Sequence, residues 1–365
     1  MLKRNWSLPW RCCIAALVGW AALSAHAQTA FPALTRPALV AKTPERQFML
    51  SAAQAGKRTV AVGERGLVVL SDNQGESWRQ AQQVPVSITL TAVSFVNDKL
   101  GWAVGHGGTI LNTTDGGDSW VLQANGADLA KSAVKVAEGL AASAGDPKAD
   151  QALRSAQQLL ADGPDKPLLD VHFQDAQHGW VVGAYNLFFE TRDGGRTWTS
   201  VRHLIDNPKE MHLYAIRSAG ADVYLVGEQG QMHRSADGGR SFQALKSPYT
   251  GSWFTLALAK DGAVVAGGLR GNLFRSANRG ESWAQVAGTP PISFVAAVAV
   301  GGQDVLVANQ AGHIFSVGPD LRLTPVYRSL AYPLSSVMPL NGGGLMVTAA
   351  TGVNHVPANQ LKKGN

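Results

Sequence analysis

Short apolar runs rich in Val, Ile, Thr, Phe and Trp alternate along this chain with clusters of Gly, Asn and Asp. Over 89–123 the runs Thr89–Val96, Gly101–Val104, Thr109–Asn112 and Ser119–Gln123 predict four strands separated by turns. Other runs, such as Phe294–Val300, are apolar without alternation, as expected of strands packed on both faces. The turn before the fourth run has a fixed composition. Ser71-Asp72-Asn73-Gln74-Gly75-Glu76-Ser77-Trp78 returns as Thr113–Trp120, Thr191–Trp198, Ser235–Phe242 and Ser276–Trp283. Five copies of one turn imply repeated copies of one supersecondary unit.

A second mark lies upstream of each block, where an apolar run ends in a short tip framed by Gly. The tips begin at Gly63, Gly105, Gly183, Gly227 and Gly268, with weaker ones at Asn309 and Ala350. Their spacings are 42, 78, 44, 41, 41 and 41 residues, so one step carries about 36 extra residues. A period of ~40–45 with four short strands per unit is that of a propeller blade. The fold class expected is all-β: a seven-bladed β-propeller with one inserted α-helical hairpin.

The third residue of each block (Asn73, Asp115, Asp193, Asp237, Asn278) is placed to accept backbone N–H groups just ahead of it. Gly at the fifth position tolerates positive φ. Ser or Thr at the seventh bonds locally, and Trp78, Trp120, Trp198, Phe242 and Trp283 close each block with a ring for burial. This block resembles the Asp-box (BNR-like repeat) of sialidase-type and related propellers. Together with Gly101-Trp102-Ala103-Val104-Gly105 and Gly179-Trp180-Val181-Val182-Gly183, the chain is similar over about 45–355 to the photosystem II stability/assembly factor family. The resemblance implies a non-catalytic propeller that holds a membrane-protein subunit during assembly. In photosynthetic members that client is a photosystem II reaction-centre protein. It also implies that the acidic residues of the blocks are structural.

The extra residues, about 124–166, are rich in Ala, Lys, Gln and Leu. Leu129, Ala133, Val136 and Leu140 share one helical face; Leu153, Ala156 and Leu160 share another. Asp146-Pro147 reads as an N-cap followed by Pro at the first helical position. The expected hairpin joins a fourth strand to the next first strand, on the face that carries the tips. It is either a tolerated insertion or part of a binding surface overhanging that face. In the seventh unit, which begins near Leu334, no apolar fourth run follows Val353–Val356. The arm within 31–42 is the expected source of the missing outer strand, where Pro32 and Pro37 are acceptable at an edge.

Residues 1–27 read as a signal peptide. Lys3, Arg4 and Arg11 precede the apolar run Cys12–Leu23, and Ala25-His26-Ala27 fits a cleavage site. A periplasmic or secreted protein of residues 28–365, forming one domain, is expected. An uncleaved anchor is the alternative. Both cysteines lie in that segment, so removing it takes away thiol chemistry and lowers the net charge from +6 to +3. No basic helix or Lys/Arg cluster supports nucleic-acid binding.

Residues that differ between tips are the candidate partner contacts: Arg65, His106, Tyr185, Gln229, Arg270 and Gln310. Variety on a constant scaffold suits one asymmetric protein partner, a membrane protein or envelope complex; drift of exposed positions would give the same pattern. The alternative function is a glycosidase or sialidase-like hydrolase. That chemistry needs two carboxylates at a set separation, and nothing in the spacing of Glu64, Asp170, Glu190, Glu210 and Glu228 pairs them. Asp170 and His172 share one face of a first strand, as a metal or acid–base pair or as polar channel lining. Catalytic residues, a metal and a cofactor are not expected, and a monomer is.

Overall fold

The computed structural model describes residues 31–142, 146–328, 330 and 332–361, so the expected signal peptide lies outside the described residues. The described residues form one compact unit. Its strands make seven antiparallel sheets in chain order, six of four strands and one of three. In the second, Leu90–Phe95, Gly101–Gly105, Ile110–Thr113 and Val121–Ala124 fall within one or two residues of the runs read from sequence.

The first strand of each sheet lies innermost, and these inner strands pack side by side around the ring. Leu334–Pro339 of blade seven meets Met49–Ala55 of blade one, and Asn341 Nδ2 donates to Gly56 O at 3.2 Å across the closure. The apolar core is correspondingly a ring of interblade clusters. One joins blades one and two around Val62, Leu90 and Trp120; another joins blades five and six around Val265, Phe294 and Val307. Each closing aromatic of the turn block packs toward the preceding blade: Trp120 against blade one, Trp198 against two, Phe242 against three, Trp283 against four and Trp78 against seven. Burial between blades lets a chain of this length avoid a single oversized core.

Every inner strand carries a bulge just after its first residue. The extra residues are Leu50, Thr91, Leu169, Tyr214, Phe254, Val295 and Ser335, all half-buried. A bulge turns one side chain out of the alternation. Neighbouring bulges meet: the Tyr214 and Phe254 rings are 5.3 Å apart, and Thr91 Oγ1 donates to Leu168 O at 2.7 Å.

The insertion is a helical hairpin, α1 (Gly126–Ala141) and α2 (Pro147–Asp162). Asn125 and Asp128 form a reciprocal capping box at α1; Asp146 caps α2 with Pro147 following. The buried faces are rotated from those read in sequence. Leu129, Ala130, Ala133 and Ala137 are buried on α1, while Val136 and Leu140 are half-buried. On α2, Leu159 is buried and Leu160 is exposed. The difference comes from alanines, which fill a close helix–blade contact that larger side chains would hold apart. The hairpin ends beside the tip of blade two, and through Ser155 of α2 it meets Glu210 and Arg202 on the linker that leaves blade three along the tip face. It covers the outer edge of blade three, where Ser132 Oγ donates to Trp198 O (2.8 Å) and accepts from Ser200 N–H (3.2 Å).

Residues 31–42 do not complete blade seven, which has three strands among the described residues. The arm is an irregular segment with a 3₁₀ turn at Pro32–Leu34. Ser87 N–H donates to Ala33 O, Ala38 N–H to Val84 O and Leu39 N–H to Arg65 O. Leu34 is buried in the cluster of blades one and two. Two prolines remove ladder donors, and burying Leu34 ties the arm to blade one.

Candidate functional site

The tips are built by close backbone approach. A Cβ on the first glycine would stand 2.1 Å from Phe48 O at Gly63 and 2.3 Å from Ser252 O at Gly268, so only glycine fits there. The next residue donates its N–H to that same carbonyl: Glu64 to Phe48 O, His106 to Thr89 O, Ala184 to Pro167 O, Glu228 to His212 O, Leu269 to Ser252 O, and Gln310 to Ser293 O. The fourth residue reaches the linker to the following blade, as in Gly66 N–H to Ile88 O and Gly230 N–H to Gly251 O. Each tip is thus held from two sides, on the face where blade-to-blade linkers also run.

All six candidate contact residues are exposed, but they do not occupy one structural position. Arg65, Tyr185, Gln229 and Arg270 sit at the apex in left-handed conformation, with φ of 55°, 53°, 50° and 55°. The apex of blade two is Gly107, φ 66°, so His106 precedes it, and Gln310 likewise takes the second place in its tip. The glycine run Gly107-Gly108 hides this offset in the sequence.

Aromatic and charged groups gather between blades three and five. The Tyr185 ring stands edge-on to His212 at 4.9 Å, with Lys166 Nζ 5.2 Å from its centroid. His212 continues to Tyr214 at 6.2 Å and Tyr214 to Phe254 at 5.3 Å. His212 Nδ1 accepts the Tyr185 N–H at 3.1 Å, fixing the ring against the tip. Sequence reading missed Tyr214 and Phe254 because bulges carry no compositional mark.

The first, third and seventh residues of each turn block satisfy one another internally. In blade four, Ser235 Oγ donates to Asp237 Oδ1 (2.7 Å) and accepts from Gly239 N–H (2.8 Å). Asp237 also accepts from Ser241 N–H (3.0 Å) and Ser241 Oγ (2.6 Å). The hydroxyls of Ser241 and Ser235 hold this carboxyl well below the usual range. Asn73 and Asn278 reproduce the turn with an amide, donating from Nδ2 to Ser77 and Ser282 at 2.9 Å each. An amide therefore serves as well as a carboxylate, and the charge is not what the turn requires. The fifth glycines have φ of 85–93°.

Asp170 and His172 do not act together. Asp170 is 7% exposed; it accepts Ile216 N–H at 2.9 Å and pairs with Arg217, both on the inner strand of blade four. His172 Nε2 lies 2.9 Å from Ser218 Oγ on the same strand. Burial, then the Arg217 cation, lowers the His172 pKa to about 3. These are interblade latches. Three of the other four carboxylates are engaged as well: Glu190 with His178 and Arg192, Glu210 with Arg202 and Ser155, and Glu228 with the His212 N–H. Among the described residues no three His, Asp, Glu or Cys side chains form a metal-binding group.

Seven repeated sheets, stitched by five satisfied turns and displaying unequal apices on one face, define a BNR-like β-propeller. A family model described as "Photosynthesis system II assembly factor YCF48" matches residues 70–137 and 150–317, and the chain belongs to that family. Photosystem II assembly lipoprotein Ycf48 of Synechococcus sp. (strain CC9902) is 32% identical over 119 residues, covering 32% of this chain and 35% of that protein. The chain thus matches about a third of that relative's length. A solved structure described as "YCF48 bound to D1 peptide" superposes with TM-score 0.61 at 14% identity, over 88% of this chain and 99% of that one. An ancestral GH74 enzyme superposes at 0.58 and 15% identity, over 85% and 45% of the two chains. These structural likenesses show the fold; an enzyme and a protein solved with a bound peptide share it.

Proposed function

We propose that this propeller is an exported assembly factor that holds an extended segment of a membrane-protein client on its tip face. The observation that carries the reading is the contrast between rigid, doubly anchored tip backbones and the unlike side chains at their exposed positions. Arg65 and Arg270 offer guanidinium groups for carboxylate or carbonyl recognition. Tyr185, with His212, Tyr214 and Phe254 behind it, offers ring faces and edges for apolar side chains. His106, Gln229 and Gln310 add hydrogen-bonding groups. The relative described as bound to D1 peptide supports a polypeptide ligand. The signal-like residues 1–27, with relatives named as a lipoprotein and as chloroplastic, support a location beyond the cytoplasm. The engaged carboxylates favour binding over hydrolysis.

The test is site-specific photo-crosslinking in cells of the source organism. Benzoylphenylalanine replaces Tyr185, Gln229 or Arg270 on the tip face, and Lys57 or Lys260 on the opposite one. Adducts to one membrane protein from the tip positions alone are expected. Equal adducts from both faces, or none from the tips, would overturn the assignment.

A further inference from the structure

We propose that the arm, residues 31–48, docks this propeller on an anionic lipid surface. The arm crosses three consecutive tips. Phe31 lies against Gly107 of blade two, Leu39 N–H bonds Arg65 O at the apex of blade one, and Arg46 reaches Gly352 of blade seven. Along this path four large apolar side chains stay in solvent: Phe31 37%, Leu39 47%, Val40 87% and Phe48 38% exposed. They are half of the exposed large hydrophobics among the described residues. Such side chains scattered singly mean little; gathered in one short segment they mark an interaction surface.

Charge identifies the occupant. Arg36, Lys42 and Arg46 are exposed, and the one acid of the arm, Glu45, faces Arg46 at 3.7 Å. Basic and apolar residues interleaved along one exposed segment suit a lipid interface, which reads charge sign and apolar depth rather than shape. A protein-binding core would instead be depleted in Lys. Docking here would turn the tip face toward the bilayer. The inference needs no client and stands or falls separately from the assembly reading.

The experiment uses residues 28–365, which retain the closed ring and lack the apolar run. Flotation is measured with vesicles of phosphatidylcholine alone and with added phosphatidylglycerol. Partition into the anionic vesicles, weakened by salt, is expected. It should fall at least about tenfold in Arg36→Glu/Lys42→Glu, since each cation near such a surface contributes roughly a fivefold factor. Leu39→Ser/Val40→Ser should weaken it too, and both variants should melt with the parent because the altered side chains are exposed. Absence of anionic-vesicle binding, equal binding to both lipids, or parent-like binding by both variants would overturn the proposal. So would a photo-crosslinker at Val40 that captures a protein while the parent ignores vesicles.

Discussion

Replacing Asp170 with alanine should destabilise the ring without touching its binding face. Asp170 is the acceptor for the N–H of Ile216, a residue with no exposure. Leaving that donor unpaired costs ~1–3 kcal/mol. The Asp170–Arg217 ion pair is lost as well, but a third of the Arg217 side chain is exposed, so the pair adds only ~0.5–1 kcal/mol. The total is ~1.5–4 kcal/mol. If some 330 residues unfold together, at ~2 cal/mol/K of unfolding entropy per residue, ~3 kcal/mol lowers Tm by about 4 °C. Arg217→Ala should cost less, because Asp170 keeps its two backbone donors. The double variant should then be less destabilised than the two effects summed. Thermal melts by circular dichroism, with a urea midpoint as the second measure, check this. A parent-like Tm for Asp170→Ala would refute the latch and reopen the acid–base reading of that carboxylate.

Gly268→Ala should be strongly destabilising, by ~1–3 kcal/mol or more, because its Cβ would meet Ser252 O at 2.3 Å. Gly139→Ala on α1, where a Cβ would meet nothing within 4 Å, should stabilise by ~0.5–1 kcal/mol; denaturant midpoints of the two variants report the contrast. Acid should act through His233, which is 1% exposed and whose pKa burial lowers to about 4. The unfolded imidazole takes its proton near pH 6.5 and the folded one only near 4. Stability is therefore complete above pH 6.5 and lost as pH falls toward 4, by up to ~3 kcal/mol from this group. His233→Gln should make stability fall less steeply with pH in that window, leaving the share that buried His172 contributes, whatever its effect at neutral pH.

The blade count, the strand order and the hairpin were legible because each has a signal that repeats or is local. Five block copies could be laid over one another, and Asp146-Pro147 marks a helix start by itself. The same comparison held a signal that reading the third residue alone passes over. The first residue of each block is always Ser or Thr, and Ser71, Thr113, Thr191, Ser235 and Ser276 are the buried hubs that accept the fifth N–H. The bulge offered no such handle, since Leu50, Thr91, Leu169, Tyr214, Phe254, Val295 and Ser335 share no chemistry. What they share is backbone position beneath a tip. The helix faces are legible at Leu129, Ala133 and Ala156 but not at Ala130 and Ala137, because close contact with a sheet edge selects small side chains that carry little apolar signal.

The arm differs in kind from these. It has no second copy in the chain, and its conformation is decided by distant partners: Val84, Ser87 and the Arg65 carbonyl. Counting strands suggested that a missing outer strand must be supplied. Yet blade seven can end at three because its inner strand and the Trp78 cluster already join it to blade one. Ring closure therefore rests on side-by-side burial, to which the arm adds Ala41, packed with Met49, Trp78 and Val353. A segment tied to blades one, two and seven with its apolar and basic side chains still in solvent has its remaining chemistry directed outward. The same logic holds for the tips. Where the backbone is fully committed to the repeat, only the side chains that depart from it remain for recognition.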